Sequence, residues 1–181
     1  MKKVASLVVV LIIVAGIMWF VYRSVVGESA QVAAPNVDAT AQINVDDYLN
    51  NTYVIENESI MLQGGRAVTD ETTVTQYFGN DVTGDLNGDG MTDVAFILVQ
   101  NSGGSGTFYY VVASVRTLDG YRGTNAIFLG DRIAPQTTEI RDGVLIVNYA
   151  DRKQGEPMTV RPSVGVSKYL KVEGTTLVGA R

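Results

Sequence analysis

From Thr52 onward, short runs of β-branched and aromatic residues alternate with turn-forming residues, and this pattern predicts β-strands. Two of these runs, residues 92–100 (TDVAFILVQ) and 107–117 (TFYYVVASVRT), are almost continuously apolar. Strands of that kind are covered on both faces, so both are expected in the middle of the fold. The polar stretch 101–106 (NSGGSG) between them predicts a hairpin loop.

Shorter strands are predicted on both sides of this central pair, at residues 52–56, 59–63, 72–80, 125–129, 136–141, 144–149, 164–172 and 175–178, and residues 67–69 can continue the strand at 59–63 past the turn at Gly64-Gly65. Turns are predicted at Asn57-Glu58, at residues 118–123 and at Asp142-Gly143. Residues 44–51 predict one short helix with Asn44 as its cap. About nine or ten short strands with closely spaced turns predict a mainly β domain, either an antiparallel sandwich or an open barrel.

The start of the chain has a different pattern. Residues 4–22 contain no charge over 19 positions. As a helix this stretch would be about 28 Å long, enough to cross a bilayer. Lys2 and Lys3 precede it, so the positive-inside rule predicts a cytoplasmic N-terminus and an exported remainder. The lipid bilayer is therefore the first expected partner, through residues 4–22.

A cleaved signal peptide is the alternative interpretation of this segment. Its apolar core is usually about 7–15 residues long, which is shorter than the stretch found here. The nearest small-residue cleavage site, Val32-Ala33-Ala34, is followed by Pro35, an unfavourable neighbour. Without cleavage, the chain divides into a single-pass anchor in the cytoplasmic membrane (residues 1–23), a tether (residues 24–43) and an extracytoplasmic domain (residues 44–181).

The composition excludes several classes of function. Without Lys2, Lys3 and Arg23, 11 basic residues remain against 19 acidic residues, a net charge near −8. Such a surface repels the phosphates of nucleic acids. The chain has no Cys and no His, which excludes disulfides, zinc-thiolate sites and Ser-His-Asp or Cys-His catalysis. The enzyme chemistry that remains is a carboxylate pair, a Ser-Lys pair or a metal held by oxygen ligands.

One acidic stretch, residues 85–93 (DLNGDGMTD), has the spacing of a calcium loop. Oxygen-bearing side chains fall at loop positions 1, 3, 5 and 9, which are Asp85, Asn87, Asp89 and Asp93. The Met91 backbone carbonyl is the expected fourth ligand, and Asp93 is expected to bind directly or through water. Gly88 and Gly90 permit the positive φ angles of a sharp turn. The sequence therefore predicts one structural Ca²⁺ site with a protein charge of −3.

Two features separate this loop from an EF-hand. Position 12 is Phe96 rather than a bidentate Glu, so weak binding is expected, about 0.1–1 mM. The flanking residues predict strands rather than helices. The pattern D-x-[DN]-x-D-G-x-x-D on strand flanks resembles the calcium loops of FG-GAP and VCBS-type repeats, here in a single copy. That resemblance implies calcium but no particular activity.

A broader resemblance extends over residues 77–169, including the segments YFGNDVTGDLNGDGMTDVAFILVQNSGGSGTFYYVVA and PSVGVSKY. These segments are similar to uncharacterised bacterial envelope proteins that carry an N-terminal membrane segment. The resemblance implies a bacterial, exported protein with a single domain.

These features favour a non-catalytic binding or scaffold module whose partner is an unknown protein or glycan. One alternative is a hydrolase that uses a carboxylate pair, with candidates among Asp131, Glu139, Asp142, Asp151 and Glu156. The other alternative is an inhibitor of an exported hydrolase, with residues 151–157 as its contact loop. Solvated surface is the default for these charges. Asp81 is expected to be a solvated side chain or an outer partner of the calcium loop.

Overall fold

The computed structural model describes residues 48–180, and this part of the chain is mainly β-structure. Its twelve strands are β1 (Thr52–Ile55), β2 (Glu58–Met61), β3 (Arg66–Thr69), β4 (Thr73–Gly84), β5 (Asp93–Ser102), β6 (Phe108–Thr117), β7 (Gly120–Gly123), β8 (Ile127–Asp131), β9 (Ala134–Arg141), β10 (Val144–Asp151), β11 (Val164–Glu173) and β12 (Thr176–Gly179). No helix within residues 48–180 is long and apolar enough to cross a membrane. The predicted anchor and tether lie outside the described residues.

The strands form three antiparallel sheets. The largest has the order β3-β4-β5-β6-β7, and β8 also pairs with β6. A second sheet has the order β12-β11-β10-β9, and β1 and β2 form a separate hairpin. The first half of β6 pairs with β8 and its second half with β7, so these two strands share one neighbour.

The six-stranded and four-stranded sheets enclose the larger hydrophobic core. Alternate side chains of β5 and β6 point into it and meet those of β10 and β11; the set includes Ala95, Ile97, Val111, Ala113, Leu145, Val147, Leu170 and Val172. On one side β9 lies beside β4, where the Asn80 side-chain amide donates to the Gln136 carbonyl at 3.0 Å. The two sheets therefore form a half-open barrel around this core.

A second core lies on the outer face of the six-stranded sheet, beneath the β1–β2 hairpin and Tyr48. The fully buried Phe96 of β5 is at its centre, with its ring centroid 5.2 Å from that of Tyr48 and 5.4 Å from that of Tyr53. The β1–β2 hairpin packs tightly, since a Cβ atom on Gly123 would lie only 2.2 Å from the Thr52 carbonyl oxygen. The prediction that β5 and β6 are covered on both faces is therefore confirmed.

The prediction of a mainly β domain built from antiparallel sheets is also confirmed, but the strand count is wrong. Residues 48–180 contain twelve strands rather than nine or ten. One of the additional strands is β7, which lies where a turn is predicted; it forms a tight hairpin with β6 from Ser114↔Gly123 to Thr117↔Gly120. Of the predicted helix at 44–51, Tyr48 and Leu49 are helical, and residues 44–47 lie outside the described range.

Two further differences concern turns and irregular strands. The first hairpin turns at Glu56-Asn57, both with positive φ, and not at Asn57-Glu58. Strand β4 continues past the predicted end at Asn80 as far as Gly84, because two register shifts let it bend and resume its pairing with β5. The predicted turn at Asp142-Gly143 is confirmed, with Arg141 paired to Val144 across it.

We predict that Phe96→Ala destabilises the fold strongly. It would remove a ring that contacts three tyrosine rings in the outer core, and such truncations cost about 3–5 kcal/mol. The free energy of unfolding of the full chain in urea measures the loss. Leu118→Ala, at a side chain that is 96% exposed, is the matched control and should change that free energy by less than about 0.5 kcal/mol. Equal effects of the two changes would contradict the central position of Phe96.

Candidate metal centre

The acidic loop (residues 85–93) joins β4 to β5 at one end of the barrel. The Gly84↔Asp93 pair closes it at its base. Leu86, at the second loop position, is buried among the inner-core residues. The loop is thus attached to the barrel both through strand pairing and through a core side chain.

The Asp85 carboxylate organises the turn. One of its oxygens accepts the Gly88 N–H at 2.7 Å and the Asp89 N–H at 3.2 Å, and the other accepts the Gly90 N–H at 2.9 Å. Gly88 and Gly90 have φ angles of 80° and 82°, which confirms the positive values predicted for them. This chain path directs successive N–H groups at one carboxylate, as in an Asx-type turn.

The Asn87 and Asp89 side chains lie together at the same turn. The Asn87 amide nitrogen donates to Asp89 Oδ2 at 2.9 Å, and Asn87 Oδ1 accepts the Asp89 N–H at 3.1 Å. Asp89 Oδ1 accepts the Met91 N–H at 2.8 Å. The structure therefore places the side chains of Asp85, Asn87 and Asp89, three of the predicted ligands, at one turn, where their oxygens accept backbone N–H groups of the loop.

Asp93 has a different environment from the other loop carboxylates. It is completely buried. Its Oδ2 accepts the Leu86 N–H and its Oδ1 accepts the Arg116 N–H of β6, each at 2.8 Å. Asp93 therefore ties the start of the loop to the neighbouring strand from beneath, and each oxygen retains a lone pair that a backbone N–H does not use.

The pKa values of Asp85 and Asp93 are shifted in opposite directions. The N–H of Gly90, helped by those of Gly88 and Asp89, holds the pKa of Asp85 below its usual value. Burial raises the pKa of Asp93, the N–H bonds from Arg116 and Leu86 oppose that shift, and the nearby charges of Asp89 and Asp85 add to it. The loop thus concentrates negative charge around a carboxylate that has no cationic partner among the described residues.

The donor set fits a hard cation of the calcium type, because every candidate ligand atom is an oxygen. Within residues 48–180, no three His, Cys, Asp or Glu side chains converge as a ready-made metal centre. A site here would therefore use a mixed set: the carboxylates of Asp85 and Asp89, the Asn87 amide oxygen and the Met91 carbonyl, with Asp93 bound directly or through water. Position 12 contributes nothing, since Phe96 is buried in the outer core.

The other charged residues considered in the sequence analysis form hydrogen bonds or ion pairs with neighbouring groups. Asp81 accepts hydrogen bonds from the hydroxyls of Tyr77 (2.5 Å) and Tyr48 (3.3 Å). Burial and then the Asp81 charge raise the pKa of Tyr48 to about 12, so the phenol remains a donor. Glu139 pairs with Arg141 at 2.7 Å, and Glu156 accepts the Lys153 N–H at 3.0 Å.

Sequence reasoning missed a cluster around Asp131. Its carboxylate accepts the Thr107 N–H at 2.8 Å and binds the Arg132 guanidinium at 2.9 Å. The hydrogen bond from Arg132 is the main cause of the lowered pKa of Asp131. Burial opposes this shift, and the hydrogen bond from the Thr107 N–H adds to it.

Arg152 belongs to the same region but donates its side-chain hydrogen bonds to backbone carbonyls. Its guanidinium donates to the Arg132 carbonyl at 2.9 Å and to the Val160 carbonyl at 2.6 Å. Arg152 therefore binds the loop that follows β10 to the turn between β8 and β9. This loop is a candidate contact loop from the sequence. The only sequence signal for this arrangement is the repeated Asp-Arg pair, at 131–132 and 151–152.

In comparisons with known proteins, no family model, no curated protein and no solved structure matches this chain. The candidate centre is therefore interpreted from its own geometry and chemistry.

We predict that Asp93→Ala destabilises the protein even when a chelator is present. It would leave the buried Leu86 N–H and the partly buried Arg116 N–H without an acceptor, at a cost of about 2–4 kcal/mol. Asp89→Ala in the same chelator is the matched control and should cost much less, because its bonds lie within the exposed turn. Urea unfolding of both variants measures the difference. If Asp93→Ala lowers the free energy of unfolding no more than Asp89→Ala does, the hydrogen bonds of Asp93 to Leu86 and Arg116 contribute little to stability.

We also predict a pH-dependent loss for Asp131→Asn. The pKa of Asp131 is lower in the folded protein than in the unfolded chain. The charged carboxylate therefore stabilises the fold above the unfolded pKa of about 3.9, and this contribution disappears as the pH falls through the folded value. The variant should lose about 1 kcal/mol near pH 7, a magnitude reduced by partial exposure. Its deficit relative to the wild type should shrink as the pH falls below about 3.9.

Unfolding free energies measured from about pH 7 down to pH 3 would check this expectation. Asp119→Asn is the matched control, because its side chain is 86% exposed and its partner Arg122 lies 3.8 Å away. A difference between Asp131→Asn and wild type that persists unchanged at low pH would contradict a charge-based role.

Proposed function

We propose that this protein is a membrane-anchored, extracytoplasmic β domain that holds one structural calcium ion and acts as a non-catalytic binding or scaffold module. The observation that carries the proposal is the acidic loop. It combines three gathered oxygen side chains, two positive-φ glycines and a buried carboxylate behind them.

Calcium would be held by the side-chain oxygens of Asp85, Asn87 and Asp89 and by the Met91 carbonyl, with Asp93 bound directly or through water. The ion would supply positive charge to three carboxylates that otherwise repel one another. A structural role is supported by the position of the loop. It connects β4 to β5 in the middle of the largest sheet, and Leu86 and Asp93 attach it to the core and to β6.

Export and anchoring are supported by the sequence of residues 4–22 and by the resemblance to anchored envelope proteins. An extracytoplasmic location also agrees with a weak calcium site, because extracellular modules commonly bind calcium with dissociation constants of about 0.1–1 mM. The partner in this proposal is a protein or glycan outside the cytoplasmic membrane. Nucleic acid is not a proposed partner, since the net charge is negative.

The hydrolase alternative receives less support from the described residues. Two open cavities, of about 550 and 520 Å³, contain at most one carboxylate each. The carboxylates of Asp131, Glu139 and Glu156 are engaged by Arg132, Arg141 and the Lys153 N–H. The inhibitor alternative relies on the loop after β10, which Arg152 holds to the barrel by backbone contacts.

We expect calcium to raise the melting temperature of the full chain in mild detergent. With a dissociation constant of about 0.1–1 mM, 10 mM calcium should add about 3–8 °C, because the ion binds the folded state. Asp89→Ala should abolish this rise. Magnesium at the same concentration should produce a smaller one, since it prefers a rigid octahedral site.

Asp119→Ala is the matched control, because it removes an exposed carboxylate outside the loop and should leave the calcium effect intact. Identical melting of the wild type in calcium and in chelator would overturn the calcium part of the proposal. Turnover of glycan, ester or peptide substrates by the full chain would overturn the non-catalytic part.

A further inference from the structure

The connection between β10 and β11, residues 152–163, is a structured loop, and we call it the β10–β11 loop. Near its middle the Val160 N–H donates to the Pro157 carbonyl at 2.9 Å, which closes a turn. The Arg152 guanidinium donates to the Val160 carbonyl at 2.6 Å and also binds the turn between β8 and β9. The turn within the loop is therefore fixed to the barrel.

This turn presents apolar side chains to solvent. Met158 is 48% exposed and Val160 is 39% exposed. Val164, the first residue of β11, is 37% exposed beside them in sequence. The hydrogen bonds of the turn keep these side chains at the surface of the domain rather than in its core. A group of exposed apolar side chains on a fixed backbone is a candidate contact surface.

Two cations flank the apolar residues of the loop. Lys153 and Arg161 are exposed, and no carboxylate within residues 48–180 forms a salt bridge with either of them. The loop has three basic residues and one acidic residue, a net charge of +2. The rest of residues 48–180 has 7 basic and 14 acidic residues, a net charge of −7. The loop is therefore a basic and apolar projection from an acidic domain.

The acidic side chains next to the loop are engaged by other groups. Glu156 accepts the Lys153 N–H at 3.0 Å. The Asp131 carboxylate binds the Arg132 guanidinium at 2.9 Å, and Asp151 accepts the N–H of the residue that follows it at 2.7 Å. These bonds leave the two exposed cations of the loop available to an anionic partner.

The β10–β11 loop and the acidic loop lie at opposite ends of the barrel. The acidic loop ends at Asp93, where β5 begins, whereas Gln100 near the other end of β5 pairs with Phe108. Phe108 pairs in turn with Asp131, the last residue of β8, and the β10–β11 loop is bound to the turn that follows β8. Since β5 has ten residues of about 3.3 Å each, the two loops are about 30 Å apart along the barrel.

The proposed anchor allows either end of the domain to approach the bilayer. Residues 24–47 lie between the anchor and Tyr48, and 24 extended residues span at most about 80 Å. Electrostatics then decide the orientation, because an anionic lipid surface repels the acidic loop and attracts the basic one. Asp70 and Glu71 also lie at the basic end, but β5 and β6 separate their turn from β8.

We propose that the β10–β11 loop contacts the surface of the membrane that anchors the chain. Met158 and Val160 would enter the headgroup region, where apolar burial contributes to binding. Lys153 and Arg161 would lie beside the phosphates of anionic lipids. The contact would hold the acidic loop about 30 Å from the lipid surface. This inference rests on the proposed function, because it requires the anchor at residues 4–22.

The test uses the fact that the chain has no Cys. Met158→Cys receives an environment-sensitive fluorophore, and the full chain is placed in lipid nanodiscs with a chelator, so that calcium cannot bridge the protein to lipid phosphates. In nanodiscs that contain phosphatidylglycerol, the emission should shift to shorter wavelength and spin-labelled headgroups should quench it. In phosphatidylcholine alone both effects should be smaller. Leu118→Cys, at a side chain that is 96% exposed at the other end of β6, is the matched control and should report water in both lipids.

Two pairs of substitutions test the role of charge. Lys153→Gln with Arg161→Gln should lower the ratio of membrane-bound to free loops about 25-fold in phosphatidylglycerol, because each basic residue near an anionic surface changes this equilibrium about fivefold. Arg122→Gln with Lys171→Gln removes the same charge from the opposite end of the barrel and is the matched control, so quenching should not change. Salt at about 0.5 M should weaken the contact of the unaltered loop.

Several results would overturn the proposal. These are a label at residue 158 that stays in water in phosphatidylglycerol nanodiscs, equal quenching in the two lipids, and equal quenching of the label at residue 118. A shift that depends on protein concentration in detergent micelles would assign the loop to a contact between two copies instead. Failure of the anchor is distinguishable, because a chain without an anchor does not co-purify with phosphatidylcholine nanodiscs, whereas an anchored chain whose loop stays in water does.

Discussion

The architecture depends on the burial of both faces of β5 and β6. These strands carry apolar side chains at nearly every position, and an exposed face would leave a large apolar surface in water. The four-stranded sheet covers one face, and the β1–β2 hairpin with Tyr48 covers the other. The two covering layers come from opposite ends of the domain, so residues distant in sequence must converge on the central pair before either face is protected.

Much of this arrangement follows from local patterns. Continuous apolar runs identify β5 and β6, and Asp-Gly identifies the turn between β9 and β10. Other features depend on contacts between distant segments. β7 is too short and too polar to be recognised, and it forms because β6 offers an edge and the outer core accepts Tyr121. The bends that let β4 continue to Gly84 involve Gly79 and Asn80, two residue types that tolerate positive φ angles. The local sequence therefore permits a bend there, but it does not show that β4 resumes its pairing with β5 afterwards.

In the candidate site, too, some features follow from the local sequence and others depend on contacts between distant segments. The spacing of Asp85, Asn87 and Asp89 is a local property, and the structure places their side chains at one turn. The environment of Asp93 is not local, since one of its two bonds comes from Arg116 on another strand. Arg152 and Lys168 have no motif around them, and their partners are backbone carbonyls on other elements. Backbone acceptors carry no sequence signature, so pattern analysis assigns such residues to the solvated surface.

Leu86 gives the acidic loop a property that its exposed turn alone would not have. A residue between two candidate ligand positions is at the same time part of the inner core, so the loop cannot leave the barrel without uncovering that core. Opening of the turn therefore exposes a core side chain and costs more free energy than the opening of an ordinary surface loop. An ion bound in the loop would therefore slow amide exchange in the strands that line the inner core around Leu86 as well as in the nine loop residues.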